Sequence, residues 1–407
     1  MEYRFDTRIS YLYSFSLFEP GYLAPEEEKV RQVRQALTRA FPQCLSDDDP
    51  AAGENPVFRD LNIVQGFLHG GGLPFPSRRF LIRDLGLTFP KVPMEETAVL
   101  FSFFPEFNAG QLIFSFKAEN VDTDQLIYLR QIFGGVAPFR AKDGREQSLG
   151  QWFRTITGTL GVPVDDPDTA YLVEIKDVHP GLTADQLLET EAQRLYGIMT
   201  GDEGWQFVPQ AMADERLSNY WGSRDFVRIV VFGNNGLFLN LNRSAMARDY
   251  LARQDQFGGW AYGGANDYFR VDSDLGGLCH GILHAQEMVM VIKTIAGRIL
   301  NRQESYRKSR TGSISKAIQK VRFFRRELIT TLDRVENLGI MEIGELEQLM
   351  LNSQKITPLI DSIKYLLELV EGELDLLYQQ STNRLVNILT VAGLLISGLS
   401  FIFGFFQ

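Results

Sequence analysis

Apolar and polar residues alternate from Tyr3 to Phe18, with Tyr3, Phe5, Ile9, Tyr11, Tyr13 and Phe15 in one register, and a period of two predicts a β-strand. A charged helix is expected from about Pro25 to Ala40. Two aromatic-rich runs, VLFSFF and QLIFSF, flank PEFNAG, whose Asn108 and Gly110 suit a turn, so a hairpin is predicted there. A helix beginning near Asp122 carries Leu126, Leu129 and Ile132. After residue 150 the pattern predicts a strand at Tyr171–Ile175 and a helix from about Thr183 to Thr200. A second hairpin, FVRIVVF and LFLNLN, turns at Asn234, Asn235 and Gly236.

From about Leu275 the pattern becomes helical. One segment runs to about Tyr306 and a second from Ser313 to Leu338, where Gly339 suits a C-cap. Thr357-Pro358 then starts a final helix, with proline at its first position. Leu359, Ile363, Leu366, Val370, Leu374 and Leu377 recur at steps of four, three, four, four and three, which predicts a straight stalk or a weak right-handed wind. The stretch Leu385–Phe406 has no charge, and its helix would be roughly 33 Å long against a hydrocarbon core of ~30 Å. A single C-terminal transmembrane helix is therefore expected. On a helical wheel Asn387, Thr390, Gly393, Ser397, Ser400 and Gly404 share one half with the bulky Leu394 and Phe401. Small residues on that half allow close helix approach, and Asn387 and Thr390 would face water or a partner. The fold class expected is an α+β cytoplasmic region of two hairpin-containing α/β subdomains, followed by a helical stalk and that one membrane helix. The corresponding boundaries are 1–150, 151–274, 275–384 and 385–406.

Charge adds a location. The 407 residues carry a formal net charge of −10, which does not suit a broad nucleic-acid surface. Against that background Arg298 to Arg326 is strongly basic. If the second helical segment packs antiparallel on the stalk, the linker holding Arg307, Lys308 and Arg310, with Lys316 just after it, meets lipid headgroups or another anion. The positive-inside rule then makes the bulk of the chain cytoplasmic and the protein single-pass in the inner or cell membrane. The two cysteines, Cys44 and Cys279, form no disulfide framework.

Chemistry is sparse. His69-Gly70-Gly71-Gly72 resembles an oxyanion turn, but no GxSxG nucleophile elbow accompanies it. His280, His284 and Glu287 share one helical face at metal-binding spacing, but HGILH lacks the glutamate of a zinc protease, so they are weak metal candidates. Asp272, Asp274 and Gly277 begin like a calcium loop whose twelfth position is Leu283 rather than glutamate. No cofactor is implied, and no residue volunteers for catalysis.

The stretch from EIGELEQLM to the C-terminus resembles the stalk and first membrane helix of the CorA-like divalent-cation transporters. Tyr378, Asn383, Leu389 and Thr390 stand in that family's Tyr…Asn…Leu-Thr pattern. The family's Gly-Met-Asn signature and second membrane helix have no counterpart, since the chain reads Gly404-Phe405-Phe406. The resemblance implies a cytoplasmic oligomer feeding a bundle of pore helices, and the function expected is a homo-oligomer, tetrameric or larger if a pore, whose cytoplasmic part senses a ligand and gates that bundle. Such a ligand-gated ion channel also has the layout of membrane effectors in bacterial anti-phage defence. Its ligand would be a phosphate-bearing small molecule or oligonucleotide. The alternative is a non-conducting, tail-anchored oligomeric scaffold or sensor.

Overall fold

The alternating N-terminal segment becomes β1 (Arg4–Ser16), and it is central: β5 (Ala109–Val121) and β8 (Asp168–His179) pair with it on either side, both antiparallel. The structure, a computed structural model, describes most of residues 2–249 (not 59–76 or 83–88), a few positions between 289 and 329, and residues 344–405. Outward from β5 lie β4 (Ala98–Phe104), β3 (Arg78–Ile82) and β2 (Leu45–Ser46). Outward from β8 lie β11 (Asn235–Asn240), β10 (Val227–Phe232) and β9 (Tyr220–Arg224), completing a nine-stranded sheet, while β6 (Phe139–Arg140) and β7 (Glu146–Gln147) pair apart from it. The β11–β8 pairing is parallel, so the sheet is mixed.

Both predicted hairpins form, and both belong to this one sheet rather than to separate ones. The second turns one step earlier than expected. Phe232 pairs with Asn235, leaving Gly233-Asn234 as the two-residue loop, with Gly233 at φ +58°. Glycine at the first loop position takes that left-handed conformation without a Cβ clash.

The helices of the α/β region start where side chains can cap them. Asp122 with Gln125 caps α2 (Thr123–Phe133), and Ser148 with Gln151 caps α3 (Leu149–Thr159), each by a reciprocal capping box. The N-terminal charged helix, α1 (Glu26–Ala40), lies where the pattern placed it. The helix expected over Thr183–Thr200 is two, α4 (Ala184–Thr190) and α5 (Ala192–Thr200), divided at Glu191 with φ −121° and ψ 23°. There the Glu191 carboxylate accepts hydrogen bonds from Tyr3 Oη and Arg194 Nε, both at 2.9 Å. α6 (Gln210–Leu217) follows.

An aromatic cluster of the core lies on one face of the sheet. Tyr11 stacks on Phe133 of α2 with centroids 4.9 Å apart, Tyr13 on Phe153 of α3 at 4.5 Å, and Phe114 meets Trp152 at 5.2 Å. Such pairs contribute about 0.5–1.5 kcal/mol each beyond the area they bury. The opposite face mixes an apolar row, Leu81, Leu100, Ile113, Leu12 and Ala170, with a polar one. Strand register sets Arg79, Ser102, Gln111, Ser14 and Asp168 in a row across five strands. Ser14 Oγ lies 2.9 Å from Thr294 Oγ1, and Lys293 Nζ pairs with Asp168 at 2.7 Å, so this face too is covered.

After the sheet come α7 (Gly344–Ser353) and α8 (Ile356–Phe405), the latter fifty residues long and unbroken, as the absence of stop signals after Pro358 predicts. Ser353 Oγ at the end of α7 accepts from Gly233 N at 2.8 Å and donates to Val231 O at 3.3 Å, docking α7 on β10. The chain divides into two compact units, Met1–Thr294 with Asn337–Ile356 and Ile295–Glu336 with Thr357–Gln407. Within the second, Ile363, Leu366 and Val370 of the predicted stripe are buried. Arg325 pairs with Glu371 at 3.1 Å and the Arg322 guanidinium lies 5.3 Å from the Tyr378 ring. Numbers rising on one side meet numbers falling on the other, so these segments run antiparallel.

One expectation is overturned. Among the described residues no helix is long and apolar enough to cross a membrane. The uncharged run whose side chains are described, Leu385–Ile396, is twelve residues, roughly 18 Å of helix against the ~30 Å required. A longer window ending at Ile396 takes in Gln379, Gln380, Asn383 and Arg384, whose polarity offsets the apolar residues. The transmembrane helix, the ion channel and the single-pass inner-membrane location fall with it.

Candidate functional site

Two places in the described structure are candidates for contact with something else. The first is the distal part of α8. Leu385, Val386, Ile388, Leu389, Val391, Leu394, Leu395 and Ile396 are each between 53% and 69% exposed. They cover both halves of the helical wheel. A helix apolar all round is ordinarily enclosed on all sides, whereas a helix lying on one surface needs only one apolar stripe. Three of the residues expected to mark one half are described with their side chains. Asn387, Thr390 and Gly393 are exposed, and the Thr390 hydroxyl is already used, donating to Val386 O at 2.8 Å within the helix. Nothing lies within 4 Å of a Cβ built on Gly393. Ser397, Ser400, Phe401 and Gly404 continue the same helix, their side chains lying outside the described residues. Arg307, Lys308, Arg310 and Lys316 lie outside them altogether, as do His280, His284 and Glu287, the HGGG turn and the Asp272 loop.

The second place is a cavity of about 400 Å³ at the end of β8, lined in part by Asp177, His179, Thr183, Gln186, Arg243 and Arg248. Asp6 of β1 lies directly opposite Asp177 of β8. Donor atoms of Asp6, Asp177 and His179 all lie within 4.8 Å of one another. Asp6 Oδ1 accepts from Asn120 N at 2.9 Å and its Oδ2 from Arg243 Nη1 at 3.2 Å. The same Arg243 nitrogen donates to Glu119 Oε1 at 3.0 Å. Burial alone would make the Arg243 guanidinium less basic, but the hydrogen bonds and charges of Glu119 and Asp6 outweigh it and raise its pKa. Asp177 Oδ1 accepts from Val178 N at 2.9 Å, and its Oδ2 stands 3.7 Å from His179 Nε2.

Sequence reasoning passed over this second cluster. Asp177 and His179 stand two apart on a strand, a visible signal, but Asp6 is brought to them only by pairing between strands far apart in the chain. No family model matches the chain, and no curated protein or solved structure shows significant similarity to it. The CorA-like resemblance rests on its motif residues alone.

Proposed function

We propose that this chain is a non-conducting, self-assembling scaffold or sensor, in which the α/β sheet region recognises and the distal part of α8 assembles copies of the chain. The observation that carries this reading is the exposure of eight large apolar side chains in Leu385–Ile396 on an unbroken helix. Exposed apolar surface of that extent marks an interaction site. The occupant of that surface is a second copy of the chain, and two features favour it. Eight side chains showing more than half their surface offer on the order of 800 Å² per chain, the ~800 Å² per partner of a standard interface. In a parallel bundle of identical helices, Asn387 of each copy also comes to one level, where the amides bond to each other and set the register.

Sedimentation velocity on the full chain tests this. The native protein is expected to sediment as an oligomer at micromolar concentration. The double variant Leu389→Glu and Leu395→Glu is expected to sediment as a monomer with an unchanged near-ultraviolet circular dichroism spectrum from the aromatic core. A monomeric native protein would overturn the reading.

A further inference from the structure

The cavity at the end of β8 carries chemistry that assembly does not use. We propose that Asp6, Asp177 and His179 form a divalent transition-metal site, of the kind that takes Mn²⁺ or Zn²⁺, with open coordination positions facing the cavity.

The backbone is shaped for it. β1 pairs Asp6 with Asp177 and Thr7 with Ile175, so Lys176 is an extra residue in β8 at this level. On the other side β1 pairs Phe5 with Val121 and Thr7 with Ala118, leaving an extra residue in β5, where Asn120 takes φ +53°. Irregularities of this kind re-aim side chains and concentrate beside functional sites. Here they flank one aspartate on both sides. The result sets two carboxylates directly across from each other on neighbouring strands, an arrangement that is destabilising between like charges. Arg243 bonds to two carboxylates, Asp6 and Glu119, with its one positive charge, while the Asp177 side chain is paired with no lysine or arginine among the described residues. A dication offsets that excess.

The donor set also selects the ion. Two carboxylates and one imidazole suit Mn²⁺, Fe²⁺ or Zn²⁺, whereas a site for Ca²⁺ or Mg²⁺ is built from oxygen alone. Asp177 Oδ2 and His179 Nε2, at 3.7 Å, already have the separation of two ligands on one ion with bonds of about 2.1 Å. The widest donor pair of the cluster, within 4.8 Å, comes within about 1 Å of the ~4 Å that two ligands of one ion span. Asp6 Oδ2 keeps a lone pair after accepting the long bond from Arg243. Three protein ligands leave one to three positions free, and the cavity that Asp177 and His179 line admits water or an anion to them. Arg248, on the same cavity, suits an anionic co-ligand.

Mn²⁺ titration of the full metal-stripped chain, followed by loss of the free-ion electron paramagnetic resonance signal, tests the site. One Mn²⁺ per chain is expected to bind and to be displaced by Zn²⁺. His179→Ala and Asp177→Asn are each expected to weaken that binding about tenfold or more. The His179 side chain is 60% exposed, so its variant keeps the fold even where Asp177→Asn does not. Absence of stoichiometric Mn²⁺ binding, or binding of unchanged affinity in His179→Ala, would overturn the assignment. Neither outcome bears on sedimentation, so the site and the assembly reading stand or fall separately.

Discussion

At the scale of single residues, Asp47 shows how burial converts into pH dependence. Its Oδ2 accepts from Arg79 N at 3.0 Å, while its buried Oδ1 has no hydrogen-bond partner. Burial raises its pKa above the ordinary aspartate value, and the Arg79 backbone bond and the Arg78 and Arg79 charges only partly oppose this. The folded chain therefore holds this proton more tightly than the unfolded chain does. Stability from this group is fully present below the unfolded value of about 3.9 and is lost as pH rises through the raised folded value. Asp47→Asn removes the titration while keeping the shape. Urea unfolding of both proteins from about pH 4 to pH 7 is expected to show the native protein losing stability relative to the variant as pH rises. A relative gain with rising pH would contradict the assigned direction.

Among elements, α5 lies so close to the turn that follows it that one position must be glycine. A Cβ on Gly197 would lie 2.5 Å from Trp205 Cβ and 2.8 Å from its Cγ, atoms near the backbone with no room to retreat. Trp205 is also held by Arg194, whose guanidinium sits 4.8 Å from the ring. Alanine in a helix interior ordinarily stabilises by up to ~1 kcal/mol over glycine. Here overpacking outweighs that gain, and Gly197→Ala is expected to cost about 1–3 kcal/mol in chemical unfolding, with altered Trp fluorescence. A stabilised variant would mean the contact is looser than described. This close approach has no local signature in the sequence, and the same is true of much that joins elements together. β1, both hairpins, α1 and α2 were legible because period and turn residues are local signals. α3 was passed over although Ser148 and Gln151 spell a capping box. The merging of both hairpins into one sheet depends on β1 pairing with β8, a contact between residues as distant as Arg4 and His179. The metal cluster was hidden for that same reason. The apolar character of Leu385–Ile396 could be read directly, but its length within the described helix could not support the membrane crossing inferred from it.

For the whole molecule, two compact units and the self-association proposed for α8 have a joint thermodynamic consequence. The sheet unit is closed by its aromatic core, with Tyr13, Phe15, Phe114 and Phe153 each no more than 4% exposed. Among its described residues, the unit holding α8 has a shorter buried stripe of Ile363, Leu366 and Val370, and eight large apolar side chains of Leu385–Ile396 are exposed. A chain of two units need not unfold in one step, so calorimetry is expected to resolve two transitions. Association stabilises whichever unit it involves by mass action, making that transition depend on protein concentration. The transition of the α8 unit should therefore rise with concentration while that of the sheet unit stays fixed. In the Leu389→Glu, Leu395→Glu variant both should be independent of concentration, the α8 transition falling to its low-concentration position. If instead the sheet transition moves with concentration, or neither does, the surface joining copies of this chain is not the distal part of α8.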